Sequence, residues 1–357
     1  MNSNFPFLKP IRILLFPFSL IYFVLIFLRN RLYDKNILKS SSFNLPIICV
    51  GNIAAGGTGK SPMVEYLVLQ LKDQFRIATL SRGYKRKTSG YALANERSTA
   101  LEIGDEPMQF HLKFPDVAIA VGEQRIEAIP QILHDRPDIQ AVILDDAFQH
   151  RSIQAGLNIV LTDYNNLYTR DWYLPTGDLR DEKTSIKRAG IIIVSKCKPN
   201  LLPKEKDIII AEINPSIKQQ VFFSGIRYGQ PYHIISKKPC RLTQELEVLL
   251  ITGIANPVPL KNFLADKSKT YYELTYSDHH IFTIDDLKDM KKRFYGITAS
   301  NKIILTTEKD AVRLVKFEQE LHDIPLYVMP IELQFLFNDE NRFNELIGTF
   351  IREFNSR

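Results

Sequence analysis

The stretch ICVGNIAAGGTGKSP, residues 48–62, ends in the triplet Gly59-Lys60-Ser61. A phosphate chain needs what this run offers. Glycines let the backbone turn its amides toward phosphate oxygens, an ammonium reaches the β- and γ-phosphates, and a hydroxyl can ligate Mg²⁺. The usual spacing, G-x-x-x-x-G-K-[ST], would put a glycine where this chain has Ala54. That position requires a small side chain more than a glycine, provided its φ is negative. The candidate nucleotide-binding residues are therefore Ala54, Ala55, Gly56, Gly57, Thr58, Gly59, Lys60 and Ser61. A chance glycine turn is the competing reading, and the flanks argue against it. Ile47 to Val50 reads as a short buried strand. PMVEYLVLQLKDQF repeats apolar residues at helical spacing (Met63, Leu67, Val68, Leu71), with Pro62 in a first turn that has no backbone donor to lose.

Downstream, AVILDDAFQHR places Asp145 and Asp146 at the end of another apolar run. Carboxylates at a strand end after a phosphate loop have the form of a Walker B site, so Ser61, Asp145 and Asp146 are the expected Mg²⁺ ligands. IGDEPMQF presents Asp105 and Glu106 before Pro107, either as acidic first-turn residues of a helix or as a base for a substrate hydroxyl. YSDHHIF carries His279 and His280. Read as a strand, it points the two rings to opposite faces, which argues against one shared metal. Arg180, in WYLPTGDLRDE, is placed to neutralise phosphate charge or to pair with a neighbour. LTTEKDAVRL reads as an N-cap followed by helix-start charges.

These residues must be held by something. RIATLSRGY, DVAIAVG, AVILDD, LNIVLTD and GIIIVSK are short apolar runs ending in polar or glycine residues, with helical patterns such as GEQRIEAIPQIL between them. That alternation predicts a parallel α/β sheet buried on both faces, with active residues at the carboxyl ends of its strands. Near residue 215 the pattern changes. QQVFFSGIRYGQPYHIIS reads as a β linker or hairpin, after which EVLLITGIANP through DIPLYVMPIEL alternate again as a smaller α/β unit. The expected organisation is an N-terminal apolar helix over 1–35, a P-loop NTPase-like α/β/α domain over 36–215, a β linker over 216–235, and a second α/β domain over 236–357.

Residues 13–28 carry no charge and are flanked by Arg12, Arg29, Arg31 and Lys35. Sixteen uncharged residues are short for a full span of roughly 20. No small-residue cleavage site follows, which argues against a secretory signal. The aromatic-rich run and basic flank suit a membrane surface; a buried core helix is the alternative. The 357 residues are 45% hydrophobic with a net charge of +6, so the chain folds around real cores and favours anionic partners. No basic stripe interleaved with aromatics supports nucleic acid, and nothing demands an obligate protein partner. Cys49, Cys197 and Cys240 form no C-x-x-C pair, so the thiols read as reduced and neither a zinc site nor a disulfide framework is expected.

Taken together, GNIAAGGTGKSP, LSRGY, GDEPMQF, LDDAFQHR, LPTGDLRD, SDHHIF and TTEKDAVR resemble, in order and spacing over nearly the whole chain, the tetraacyldisaccharide 4′-kinase family of lipid A biosynthesis. In that family the loop regularly lacks the first glycine. The resemblance implies a kinase that moves the γ-phosphate of ATP, with Mg²⁺, to the 4′-hydroxyl of a lipid-linked glucosamine disaccharide 1-phosphate. It implies attachment to the cytoplasmic face of the inner membrane of a Gram-negative bacterium and a glycolipid partner. It also implies Asp105 as the base, His279 as its partner from the second domain, Lys60 on the phosphates, and Arg180 in the family's basic slot, where Asp181 replaces the usual glutamate. The rival class is a membrane-recruited P-loop switch ATPase, whose loop carries a lysine where this chain has Ala55.

Overall fold

The structure, a computed structural model, describes residues 12–355; residues 1–11 of the expected N-terminal segment and residues 356–357 lie outside the described residues. Its strands, in chain order, are β1 Ile47–Asn52, β2 Ile77–Ser81, β3 Ala92–Leu93, β4 Ala118–Val121, β5 Ala141–Asp145, β6 Leu157–Asp163, β7 Ile191–Ser195, β8 Gln220–Tyr228, β9 Tyr232–His233, β10 Glu247–Thr252, β11 Thr270–Thr275, β12 Lys302–Thr307, β13 Leu326–Met329 and β14 Ile331–Phe335. The helices that matter here are α1 Phe16–Asp34, α2 Lys60–Leu71, α3 Asp105–Lys113, α4 Arg125–Asp135, α5 Pro203–Ile213, α6 Val258–Lys267, α7 Ile284–Gly296, α8 Glu308–Leu314 and α9 Glu340–Asn355.

Two sheets organise the molecule. The larger has the order β14-β8-β7-β6-β1-β5-β2-β4-β3, parallel from β8 to β4 with antiparallel strands at both edges. Every residue of β1 is buried, as the uninterrupted apolar run requires of a central strand covered on both faces. Ile47 and Cys49 face a core with Ala128, Ile129 and Ile132 of α4 and Ile209 and Ile213 of α5. Ile48 and Val50 face the opposite core, filled by Met63, Leu67 and Leu71 of α2 and Phe110 of α3. The period-two alternation thus sends successive side chains into different layers. The expected P-loop-like α/β fold with a smaller α/β unit is what the chain adopts.

The smaller sheet, β11-β10-β12-β13-β9, is parallel apart from β9 and is likewise covered on both faces. The expectation for the segments around it needs correcting. Gln220–Tyr228 is not a free linker. It extends the large sheet parallel to β7, because Phe222 and Phe223 bury one ring in each of its cores. The chain does not stay in the second unit to residue 357 either. After Pro330 it returns as β14, antiparallel to β8, and α9 packs Phe343, Ile347 and Ile351 against the α2 side of the large sheet. The two sheets are therefore joined by two adjacent chain crossings, which Gly229 N–H ties together by donating to the Pro330 carbonyl at 3.0 Å.

Helix α1 lies against the first body instead of inside it. Asn30, buried, donates to Asp181 at 2.9 Å and Glu182 at 2.8 Å, and Ser19 Oγ donates to Thr176 Oγ1 at 2.7 Å. Arg29 donates to the Gln149 carbonyl at 2.7 Å. The other side of the helix exposes Phe18, Leu20, Ile21, Val24, Leu25 and Leu28.

Candidate active site

β1 ends at Asn52, and the chain then turns through the glycine loop into α2. Gly56 and Gly59 have φ of +104° and +85°, the left-handed region that side chains avoid, so these two glycines are required by the turn. Ala54 is absent from the positive-φ residues among those described, which meets the condition for replacing the usual glycine. The alanines also have a local role. Ala54 bridges to Leu179 and the Ala55 amide donates to the Asp178 carbonyl at 2.6 Å, while Arg180 N–H donates to the Ile53 carbonyl at 2.8 Å. The front of the loop is thus stitched to the Pro175–Arg180 turn. The Ala55 amide is spent there, while Gly57, Gly59, Lys60 and Ser61 lie further on, at the α2 N-terminus, where unpaired amides favour an anion.

Asn52 is the hub that sequence reasoning passed over. It is fully buried; its amide donates to Thr58 Oγ1 at 2.9 Å, and its Oδ1 accepts from Lys60 Nζ at 3.3 Å and also from Arg180. The signal was available, since a polar residue at the end of an apolar strand and just ahead of a glycine loop is rarely idle. Gln149, on the loop after β5, braces it by donating to the Asn52 carbonyl at 2.7 Å.

The two strand-end aspartates part company. Asp146, with φ of +51°, turns to Arg180, which donates through Nη1 at 3.2 Å and also through Nη2, and to Lys60 at 3.7 Å. Against the penalty of burial, Lys60 and Arg180 hold its carboxyl below the usual carboxylate range. Asp145 is buried; Ser81 Oγ donates to its Oδ2 at 3.4 Å, and its Oδ1 has no hydrogen-bond partner. Burial, with Glu106 and Asp146 adding, pushes it up to about 7. An oxygen this buried and unsatisfied costs free energy unless something cationic meets it. Among the described residues no three His, Cys, Asp or Glu side chains form a ready cage. A Mg²⁺ site does not need one, because this ion takes one or two carboxylates and completes its shell with phosphate and water.

Ser61 Oγ donates to Glu106 Oε1 at 3.1 Å, and Lys309 of α8 stands 3.2 Å from the same carboxylate oxygen. From the sequence Glu106 reads as a first-turn acid or as a candidate base, not as a partner of Ser61. Its contact with the phosphate loop depends on how α3 docks beside α2, which no local pattern states.

Asp105, next to it, meets the second sheet. His279 Nδ1 lies 2.8 Å from Asp105 Oδ2. Since a carboxylate only accepts, Nδ1–H donates, and Nε2, on the other side of the ring, lies 3.8 Å from Asp278 Oδ2. Against burial, the His279 hydrogen bond and the Arg313 charge hold Asp105 below the usual carboxylate range. His280 turns away to Asp286 at 3.0 Å and stacks on Tyr276. The two rings do part, but the reason differs from the expected one. They sit in a turn after β11, with His279 at φ +62°, not on a strand. His150, beside the loop, is driven down to about 4 by burial and by Arg125, Arg82 and Arg29, which leaves the ring neutral amid cations.

A glycine loop at a helix N-terminus, carboxylates at neighbouring strand ends and a second lobe that delivers a histidine onto an aspartate define a P-loop protein of the phosphoryl-transfer class. Comparison with known proteins narrows this. The model of the tetraacyldisaccharide-1-P 4′-kinase family matches residues 11–352. Proteins named tetraacyldisaccharide 4′-kinase from Bacteroides thetaiotaomicron and Flavobacterium johnsoniae are each 42% identical, the first over 95% of this chain and 93% of its own length, the second over 96% and 98%. The crystal structure of LpxK from Aquifex aeolicus in complex with ATP is similar with a TM-score of 0.75 and 27% identity, covering 96% of this chain and 99% of that one. The chain belongs to the tetraacyldisaccharide-1-P 4′-kinase family.

Proposed function

We propose that this chain phosphorylates the 4′-hydroxyl of a tetraacyl glucosamine disaccharide 1-phosphate with ATP, at a membrane surface. The observation that carries this reading is the convergence of Asp105, from a helix on the larger sheet, and His279, from a turn of the smaller, beside the loop that holds Lys60 and Ser61. A phosphate-binding loop alone fits many nucleotide enzymes; an aspartate oriented from a second lobe suits an acceptor hydroxyl that must lose a proton.

Lys60 and the α2 N-terminus hold the phosphate chain, and Arg180 adds charge on its flank. Asp146 keeps Lys60 and Arg180 together while no phosphate competes for them. Asp145 and Ser61 offer oxygen donors fitting Mg²⁺, with the unpartnered Asp145 oxygen as the strongest indication. When bound, that ion would offset charge on the transferring phosphoryl. Asp105 takes the acceptor proton, and His279 keeps its carboxylate aimed. Closure of the second sheet over the first excludes water and so suppresses ATP hydrolysis.

The apolar side of α1 supports membrane attachment. The helix has 19 residues, about 28 Å at 1.5 Å per residue. Its polar contacts to the first body run from Ser19 to Asn30, along most of its length. A helix so tied lies in the interface with its exposed Leu25 and Leu28 toward lipid, and does not cross the bilayer. The face is the cytoplasmic one, where ATP is present.

The test is incubation of the purified chain with Mg·ATP and a tetraacyl disaccharide 1-phosphate, followed by mass spectrometry of the lipid. Gain of one phosphate on the distal sugar is expected. ATP hydrolysis without any phosphorylated lipid would sink the reading in favour of a switch ATPase.

A further inference from the structure

The helix α8 begins in the TTEKDAVRL stretch, which reads from sequence as a capped helix start, and it does form that cap, with Thr307 Oγ1 accepting from Asp310 N–H at 3.1 Å. The cap leaves two buried charges unexplained. Asp310 is wholly enclosed and Arg313 nearly so. Arg313 Nη2 donates to Asp310 Oδ1 at 2.6 Å and to the Gly253 carbonyl at 3.3 Å. Asp310 Oδ2 accepts the Gly253 amide at 3.0 Å. Gly253 is thereby gripped at both its N–H and its C=O, and the same carbonyl accepts the backbone N–H of His279 at 3.2 Å. A side chain at residue 253 would press on Asp310, since a Cβ there would stand 3.1 Å from its Oδ1. The backbone of His279, held at positive φ, rests on this clamp.

The remaining nitrogens of Arg313 take no part in this grip. Nε and Nη1 are buried without a hydrogen-bond partner, and Nη1 lies 3.8 Å from Asp105 Oδ2, the oxygen that accepts from His279. Buried guanidinium donors left unsatisfied are costly, so a fold that keeps them there is using the charge. One side chain therefore touches both halves of the Asp105–His279 pair, the histidine through the Gly253 carbonyl and the aspartate through space.

We propose that Arg313, anchored by Asp310, is a positioning residue for phosphoryl transfer, which sets the His279 turn and presents cationic charge to Asp105 so that the pair is assembled only when the second sheet is in place. This rests on the reading of Asp105 as the base. Among the described residues no hydrogen bond or ion pair joins Arg313 to the glycine loop, so its effect belongs to the transfer step and not to nucleotide binding.

The test uses the full chain with Arg313→Met, Arg313→Lys, Asp105→Asn and the double variant Arg313→Met with Asp105→Asn. Turnover is measured with ATP and the lipid disaccharide, and the histidine ring nitrogens are followed by long-range proton–nitrogen NMR. Misplacement of a reacting group by about 1 Å costs roughly 100-fold, so Arg313→Met is expected to lower kcat by about 10- to 100-fold with KM for ATP held within about twofold. Arg313→Lys, which keeps the charge, recovers part of the loss. In the Asp105→Asn background, Arg313→Met adds little, because the two act as one unit. The His279 Nδ1 signal loses its hydrogen-bonded character in Arg313→Met, while His233, bonded to the Ile324 carbonyl, is unchanged. An unchanged His279 signal, losses that multiply independently, or equal loss in the Lys and Met variants each overturn the proposal. If Arg313→Met does not fold, removing both buried charges with Asp310→Asn carries the same expectations. Should the unaltered chain transfer no phosphate to lipid, the functional reading fails, while the ring signal still decides whether Arg313 positions the pair.

Discussion

His279 Nδ1 and Asp105 Oδ2 stand 2.8 Å apart although 174 residues separate them in the chain. One comes from a turn after β11, an edge strand of the smaller sheet, the other from the first residue of a helix on the larger. The distance is a measure of how the two sheets sit together. Opening the cleft by a few ångströms breaks it, so the pair reports closure.

Asp105→Asn keeps the shape and removes the basic oxygen. General-base catalysis contributes about 10²- to 10⁴-fold, and kcat for lipid phosphorylation is expected to fall within that range while KM for ATP stays near its original value. Steady-state kinetics with both substrates checks this. Turnover within threefold of the unaltered chain would remove Asp105 as base.

Asn52→Ala removes the acceptor shared by Lys60 and Arg180 and the amide that holds Thr58. The loop then loses its internal brace, and the two cations lose a partner other than Asp146. The expected result is ATP binding weakened about tenfold, the equivalent of roughly one to two neutral hydrogen bonds, read by calorimetric titration. Affinity unchanged within twofold would show that the loop holds its shape without Asn52.

Lys113 of α3 bridges Glu65 of α2 at 2.7 Å and Glu308 of α8 at 2.9 Å, and both carboxylates are buried. Burial and the charge of Glu308 push Glu65 up to about 7. A carboxyl raised on folding stabilises the native state below its ordinary range and loses that contribution as pH rises through 7. Stability should therefore fall between about pH 4.5 and 7, by up to about 3 kcal/mol from this group. Glu65→Gln flattens that fall. Lys113→Met, leaving two buried carboxylates with no cation, steepens it and costs about 1–3 kcal/mol at pH 8 after allowing for the partial exposure of the lysine. Chemical denaturation across the pH range gives both results. A Glu65→Gln curve parallel to that of the unaltered chain would refute the assignment.

Leu25→Asp with Leu28→Asp places two charges on the exposed apolar side of α1 without touching Ser19, Asn30 or Arg29. Losing two buried leucines at an interface costs on the order of 3 kcal/mol, so sedimentation with phosphatidylglycerol vesicles should fall by at least tenfold while the melting temperature stays close to that of the unaltered chain. Undiminished co-sedimentation would place the membrane contact elsewhere.

The sequence by itself determined the local chemistry. The glycine loop, its strand and its helix are contiguous, so Lys60 and Ser61 could be placed at a strand–loop–helix junction from the sequence, and the central strands were legible because a buried strand in a parallel sheet must be apolar throughout. The strand-end position of Asp145 and Asp146 followed in the same way, but their division of labour did not. One faces two cations and the other is buried with one oxygen on Ser81 and one unpartnered, and that depends on a positive φ at Asp146 and on where the Arg180 turn lies. The approach of Glu106 to Ser61, the return of β14 and α9 to the first sheet, and the grip of Asp310 and Arg313 on the His279 turn were decided by tertiary structure. Each joins segments far apart in the chain, through docking of helices and sheets whose contact faces carry ordinary charged or apolar residues. Periodicity tells which face of an element is buried; it does not tell which distant element buries it. The charged ends that meet across such a docking surface become a site only once the layers have packed.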